Sequence, residues 1–276
     1  MKKILFKSLI GILSVYVILI ALMFTFQRSM MYFPQAQIPD ADIKETFKRM
    51  EIIQLKTEDN IELKFYMEPP ANDKTPIILA FHGNGSLALS MYIKFLKLKS
   101  EGAGVLYPEY RGYGGNAGAI NEDGLYKDAD AYLSYLKTKY PNNPIIIYGQ
   151  SLGAGVAVDV ASRHIGQYNG LVLETPFDSV VTVVGKTYPL VPFKSILVRD
   201  KYLSIEKIGL ISVPKLFLIA GKDDVVGAES GRRLVAAADN NKKIVEFPEA
   251  THMTVYQFGA EKEVQSFIQN TVIGVK

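Results

Sequence analysis

From Ser8 to Phe26 the chain carries no charged residue, a run close to the roughly 20 residues that a helix needs to cross a bilayer. The run is apolar all round rather than along one stripe, and Lys2, Lys3 and Lys7 stand before it. That pattern predicts a membrane span, not the core helix of a soluble domain. A cleaved signal peptide would have a shorter apolar region and a small-residue cleavage site. This run passes instead into Phe24-Thr25-Phe26-Gln27-Arg28, so the span is read as retained.

Beyond the span the period changes. From Glu51 to Glu68 two alternating segments flank Glu58-Asp59-Asn60 and end at Pro69-Pro70, which predicts an antiparallel hairpin. Short apolar runs follow at Ile77 to Phe81, Gly104 to Tyr107, Ile145 to Tyr148, Leu171 to Leu173, Leu216 to Ala220 and Ile244 to Phe247. Between them lie helical patterns near Leu87 to Lys99, Glu122 to Lys139, behind Tyr148, Glu229 to Ala238 and Val255 to Gln269. Such alternation predicts an α/β fold, a mostly parallel sheet with helices on both faces. Pro176, Pro189, Pro192 and the stretch Val180-Val181-Thr182-Val183-Val184 break the rhythm. The expected organisation is an anchor over 1–34, an α/β domain over 40–276 and a short lid at about 175–213, since long connections in such domains are usually functional.

The run Ile145-Ile146-Ile147-Tyr148 leads into Gly149-Gln150-Ser151-Leu152-Gly153. A strand delivering a serine to a sharp Gly-x-Ser-x-Gly turn, with a helix behind it, is a nucleophile elbow. The glycines let strand and helix approach closely. A serine hydroxyl is a poor nucleophile until a base takes its proton, and the base needs an orienting carboxylate. Of the three histidines, His164 closes the helix behind the serine, where a cation suits the helix dipole. His82 precedes the serine and ends the first parallel strand. His252, in the loop before the last helix, is left as the base. Asp223, Asp224 and Glu174 each satisfy the order serine, acid, histidine. Two backbone N–H groups must face a tetrahedral oxyanion. Leu152 supplies one at the helix N-terminus, and Asn84 in His82-Gly83-Asn84-Gly85 is the expected second.

Composition narrows the alternatives. With no cysteine and three histidines without metal-ligand spacing, thiol chemistry, disulfides and a metal centre are not expected. No cofactor is expected either. The net charge is +3 and three lysines precede the span, so the remainder is formally neutral. Nucleic-acid binding would require a concentrated basic face. The expected partners are a small acyl or peptide substrate and a membrane; nothing in the sequence speaks to oligomeric state. Lysines before the span and only Arg28 closely after it keep the N-terminus cytoplasmic and place the domain on the other side. Asn84-Gly85-Ser86 is also a glycosylation sequon, and a glycan there would block the expected oxyanion turn. That favours a bacterial inner-membrane protein facing the periplasm or exterior.

The motifs Phe81-His82-Gly83-Asn84-Gly85, Tyr110-Arg111-Gly112-Tyr113-Gly114, Tyr148-Gly149-Gln150-Ser151-Leu152-Gly153, Glu174-Thr175-Pro176-Phe177, Gly221-Lys222-Asp223-Asp224-Val225-Val226 and His252 occur in one order. In them the chain resembles the α/β-hydrolase superfamily, and within it the N-terminally membrane-anchored, serine aminopeptidase-like branch. The likeness covers about residues 50 to 270 and extends to Gln27-Arg28 and Tyr32-Phe33-Pro34. It implies hydrolysis of an ester, thioester or amide through an acyl-enzyme. Its register implies Asp223 as the acid, followed at the family spacing by Val226, and a structural role for Glu174. Gly227 departs from the pattern, because relatives usually carry proline there. A rival class is an NAD(P)-binding oxidoreductase, since Gly83-Asn84-Gly85-Ser86-Leu87-Ala88 matches G-x-G-x-x-A. A catalytically silent, membrane-bound binding module is the third.

Overall fold

The computed structural model describes residues 2–273. Eight apolar runs pair into one sheet: β1 (Glu51–Lys56), β2 (Glu62–Glu68), β3 (Ile77–Phe81), β4 (Gly104–Tyr107), β5 (Ile145–Gln150), β6 (Gly170–Glu174), β7 (Lys215–Ala220) and β8 (Lys242–Phe247). Their order is β1-β2-β4-β3-β5-β6-β7-β8. The hairpin partner β2 runs antiparallel to β1 and β4, and β3 to β8 are parallel. A crevice beyond the carboxyl ends of parallel strands is where this architecture holds its ligands.

Helices cover both faces: α1 (Lys2–Met31), α2 (Asp40–Thr46), α3 (Leu96–Ser100), α4 (Glu122–Lys139), α5 (Leu152–Arg163), α6 (Val180–Thr187), α7 (Lys194–Leu197), α8 (Ser204–Lys207), α9 (Ala228–Ala237) and α10 (Ala260–Ile273). Strand alternation sorts the core. Ile145 and Ile147 of β5 pack in one cluster with Leu133 of α4 and Val156 of α5, while Ile146 and Tyr148 pack in the other with Phe95 and Val264. Helix α4 spans the expected residues and is capped by Asn121, whose side chain accepts from the Gly124 N–H at 2.9 Å, satisfying one of the first-turn donors.

Two expected helices are shorter. Residues 88–95 form a 3₁₀ segment ahead of α3, with the Ala88 N–H donating to Glu109 Oε2 at 3.1 Å. Before α10 a 3₁₀ turn at Val255–Phe258 ends at Gly259, whose φ of +97° suits glycine. The interval 175–213, the cap segment, contains α6, α7 and α8 and is not a purely irregular loop.

The elbow shows why glycine is required. Ser151 sits at φ 52°, ψ −117° between β5 and α5, a sparsely populated conformation that surrounding packing must enforce. A Cβ at Gly149 would lie 2.7 Å from Ala154 Cα, and one at Gly153 would lie 2.6 Å from the His82 carbonyl oxygen.

Helix α1 is long and apolar enough to cross a membrane, and its last turns pack on the cap. Arg28 donates to both oxygens of Asp200 at 2.8 Å. Tyr32 is buried, with its hydroxyl 3.2 Å from Asp200 and 2.9 Å from the Tyr202 hydroxyl.

Gly149→Ala is expected to destabilise the protein by about 2 kcal/mol or more through overpacking. Gly185→Ala, whose nearest neighbour would be Lys194 Cδ at 3.7 Å, should cost nothing measurable. Thermal unfolding followed by circular dichroism compares the two.

Candidate active site

Three side chains from distant parts of the chain converge at the carboxyl edge of the sheet. Ser151 Oγ lies 2.8 Å from His252 Nε2, and His252 Nδ1 lies 2.8 Å from Asp223 Oδ2. Serine comes from the β5–α5 elbow, Asp223 from the loop after β7 and His252 from the loop after β8. His252 and Asp223 are buried.

The loop after β7 fixes the carboxylate from behind. Asp223 Oδ1 accepts from the Val225, Val226 and Gly227 N–H groups at 3.0, 2.9 and 3.2 Å, leaving Oδ2 aimed at the imidazole. Burial pushes the Asp223 carboxyl up, but the hydrogen bond and charge of His252 and the Gly227 and Val226 N–H groups outweigh it. The group is held below the ordinary carboxylate range. Gly227 has φ +86°. Proline is fixed near −65° and has no N–H, so the departure at this position follows from the turn that binds Asp223.

The other carboxylates lie elsewhere. Asp224 is exposed. Glu174 is buried at the end of β6, paired with Lys94, and accepts from Tyr148 and from Gln150 Nε2 at 3.2 Å. The remaining histidines are structural: His82 is buried with Nδ1 2.8 Å from the Gly83 carbonyl and Nε2 3.2 Å from Glu109. His164 caps α5 with Nε2 2.8 Å from Asp130.

Gly83 lies against Ser151, so that a Cβ there would be 3.5 Å from the serine Cβ. This brings the turn holding Asn84 beside the elbow. The Asn84 and Leu152 N–H groups donate to no protein acceptor among the described residues. The Asn84 side chain bonds through both its oxygen and its nitrogen. Its Oδ1 accepts from the Phe33 N–H at 3.0 Å, the Gly85 N–H at 3.0 Å and the Tyr113 hydroxyl at 2.6 Å, while Nδ2 donates to the Met31 carbonyl at 2.6 Å. These bonds tie the sequon asparagine to the end of α1 and to Tyr113, with one of its two amide hydrogens donated to Met31.

Above Ser151 opens a cavity of about 320 Å³. Ser151, Leu152 and Asn84 form its floor, and Val180, Val183 and Val184 of α6 form one side. The opposite side is α1, through Ile20, Met23, Phe24, Gln27, Met30 and Met31. Sequence reasoning missed this wall and the Asn84 clamp. The one available signal was that the family likeness began at Gln27-Arg28, ahead of the domain.

Residues 72–199 match the family model described as serine aminopeptidase, S33. The uncharacterized protein Rv2307c of Mycobacterium tuberculosis is 35% identical over 230 residues, covering 82% of this chain and 80% of its own length. The chain belongs to the α/β-hydrolase superfamily. Another relative of this α/β hydrolase is protein bem46 of Schizosaccharomyces pombe, 29% identical over 259 residues and covering 88% and 86%. The rat lysophosphatidylserine lipase ABHD12 is 31% identical over 191 residues, covering 62% of this chain and 48% of the lipase. In fold, the α/β hydrolase matches the Pyrococcus furiosus esterase Pf2001 with a TM-score of 0.70 at 20% identity, over 87% and 98% of the two chains. The dinucleotide reading is thereby replaced: Gly83-x-Gly follows β3 and leads into a 3₁₀ segment, with no α-helix N-terminus at that turn to receive a pyrophosphate.

Gly227→Pro, although it restores the residue usual among relatives, should remove one Asp223 contact and strain the turn. A loss of at least about 1 kcal/mol, measured by thermal unfolding of the purified protein, is expected.

Proposed function

We propose that this α/β hydrolase is a membrane-anchored serine hydrolase that cleaves an acyl ester through an acyl-enzyme, with Ser151 as nucleophile, His252 as base and Asp223 as orienting acid. The observation that carries the reading is the continuous path from Ser151 Oγ through His252 to Asp223, with both links at 2.8 Å. Ser151 Oγ attacks the acyl carbon as its proton passes to His252 Nε2, and the imidazolium is stabilised by the ionised Asp223. The Leu152 and Asn84 N–H groups receive the oxyanion, with the α5 N-terminus adding partial positive charge. His252 returns the proton to the leaving oxygen, then activates a water that attacks the acyl-enzyme and regenerates the serine.

The family model's description as an aminopeptidase keeps an amide substrate in view. An apolar cavity above the serine, walled by valines and by the anchor helix, favours an acyl chain over a charged peptide terminus. The rat relative named as a lysophosphatidylserine lipase supports a lipid-like ester. The anchor places the catalytic domain on the non-cytoplasmic side, because Lys2, Lys3 and Lys7 precede the apolar run.

Ser151→Ala should abolish labelling by a fluorophosphonate and lower ester turnover on the order of a millionfold; retained labelling would remove the assignment. Asp223→Asn should lose about 10⁴ in kcat, whereas Asp224→Asn should remain within about tenfold. Steady-state kinetics on one activated ester compares them, and near-normal turnover in Asp223→Asn would move the acid elsewhere.

Orientation is tested separately. Protease added to intact spheroplasts expressing the protein should digest the domain, and protection until lysis would reverse the topology.

A further inference from the structure

The cap and the anchor are aligned along a common axis. The Tyr16 hydroxyl donates to the Leu190 carbonyl at 2.6 Å, Gln27 Nε2 donates to the Leu197 carbonyl at 3.2 Å, and the Arg199 N–H donates to Gln27 Oε1 at 2.8 Å. Arg28 then pairs with Asp200. Moving back along α1 from Arg28 is therefore moving back along the cap from Asp200.

Charge disappears from both segments at the same level. From Ser8 to Gln27 the anchor has none, and from Thr187 to Val198 the cap has only Lys194, whose Nζ donates to the cap's own Pro189 carbonyl at 3.2 Å. Tyr16 lies twelve residues before Arg28, about 18 Å along a helix. A bilayer's hydrocarbon core is about 30 Å thick, so Tyr16, and the Leu190 carbonyl bonded to it, fall well inside. The large side chains the cap turns outward at this depth are apolar: Leu190 is 83% exposed, Phe193 73% and Ile196 75%, with Ser195 a small exposed polar residue among them. Such a patch would be a liability in water. In hydrocarbon it is solvated, and the Tyr16 bond removes a hydroxyl that would be costly to leave unpaired there.

The cavity shares this level. Ile20, Met23 and Phe24 of its wall lie four to eight residues before Arg28, or about 6–12 Å. We infer that the cap segment Tyr188–Leu197 is immersed in the leaflet on the domain's side, and that the acyl chain of a membrane-dissolved ester enters the cavity laterally between α1 and the cap. The anchor is then a wall of the binding site. An acyl chain that reaches Ser151 this way leaves one apolar environment for another and crosses no water. The route rests on the serine-hydrolase reading; the immersion of the cap does not.

The chain contains no tryptophan, so an introduced indole is the only fluorophore excited beyond the red edge of tyrosine absorption. In full-length protein reconstituted into phosphatidylcholine vesicles, Ile196→Trp should emit at shorter wavelength and be quenched at least twofold by lipids brominated on the acyl chain. Ile165→Trp, just beyond the end of α5 remote from Ser151 and 53% exposed, should be unaffected. Equal quenching of the two, or none at Ile196→Trp, would overturn the immersion. For the route, a long-chain phosphonate dissolved in the vesicles is compared with a short water-soluble one. The ratio of their labelling rates should fall about tenfold in Leu190→Asp/Ile196→Asp, and an unchanged ratio would overturn lateral entry. Failure of the short probe to label the unaltered protein would instead strike the serine-hydrolase reading, leaving the quenching result to decide whether the cap is immersed.

Discussion

Strand β5 and helix α5 meet at Ser151 with backbone against backbone, because residues 149 and 153 carry no side chain. A β-carbon at Gly149 would press on Gly153 and Ala154, and one at Gly153 would press on Phe81 and His82. The close approach holds the serine at positive φ, which lifts its hydroxyl out of the sheet. The same approach brings the β3 turn against the elbow, so the proposed oxyanion donors of Leu152 and Asn84 come from two segments that touch only because both glycines are present. The histidine and aspartate loops are then placed by adjacency in the sheet, since β6, β7 and β8 follow β5 in order.

Buried charges fix the loops around this edge. Arg111 binds Asp128 at 2.8 and 2.9 Å and Asp59 at 2.7 and 3.0 Å, tying the hairpin turn to α4. Its guanidinium holds the Asp59 carboxyl well below the usual range. Arg111 and Asp128 are buried while Asp59 is exposed, so removing Arg111 would leave the Asp128 charge buried and uncompensated, at a cost of about 3–5 kcal/mol. This accounts physically for the Tyr110-Arg111-Gly112-Tyr113-Gly114 motif: Tyr110 donates to the His82 carbonyl at 2.9 Å and Tyr113 to Asn84. The motif is a brace for the turn that holds Asn84.

The α/β class and the strand positions were legible because each is written locally. Period-two and period-3.6 patterns mark the elements. The order of elbow serine, acid and loop histidine leaves Asp223, Asp224 and Glu174 all open as the acid, and it is the register of the family likeness that points to Asp223, the carboxylate found beside His252. The 3₁₀ segment at 88–95 was not legible, because the acceptor for its first N–H is Glu109, remote in sequence. Helix α2, seven residues long, was missed because so short an element offers too few positions for a period. The cavity wall was hidden for a different reason. Ile20, Met23 and Phe24 would be apolar whether they faced lipid or a ligand, so hydropathy cannot separate the roles. Asn84 was read for its backbone N–H, and nothing local indicated that its amide would reach the end of the anchor.

The amide of Asn84 holds the Met31 carbonyl and the Phe33 N–H, and with them the place where the membrane helix gives way to the domain. Proteolytic cleavage between α1 and the domain would here separate Ser151 from a wall of the cavity it lines and leave the Asn84 side chain without its Met31 and Phe33 partners. The protein has no useful soluble form on this reading. Under the proposed function, the anchor is then a part of the site as well as a tether, and cutting it away would cost activity.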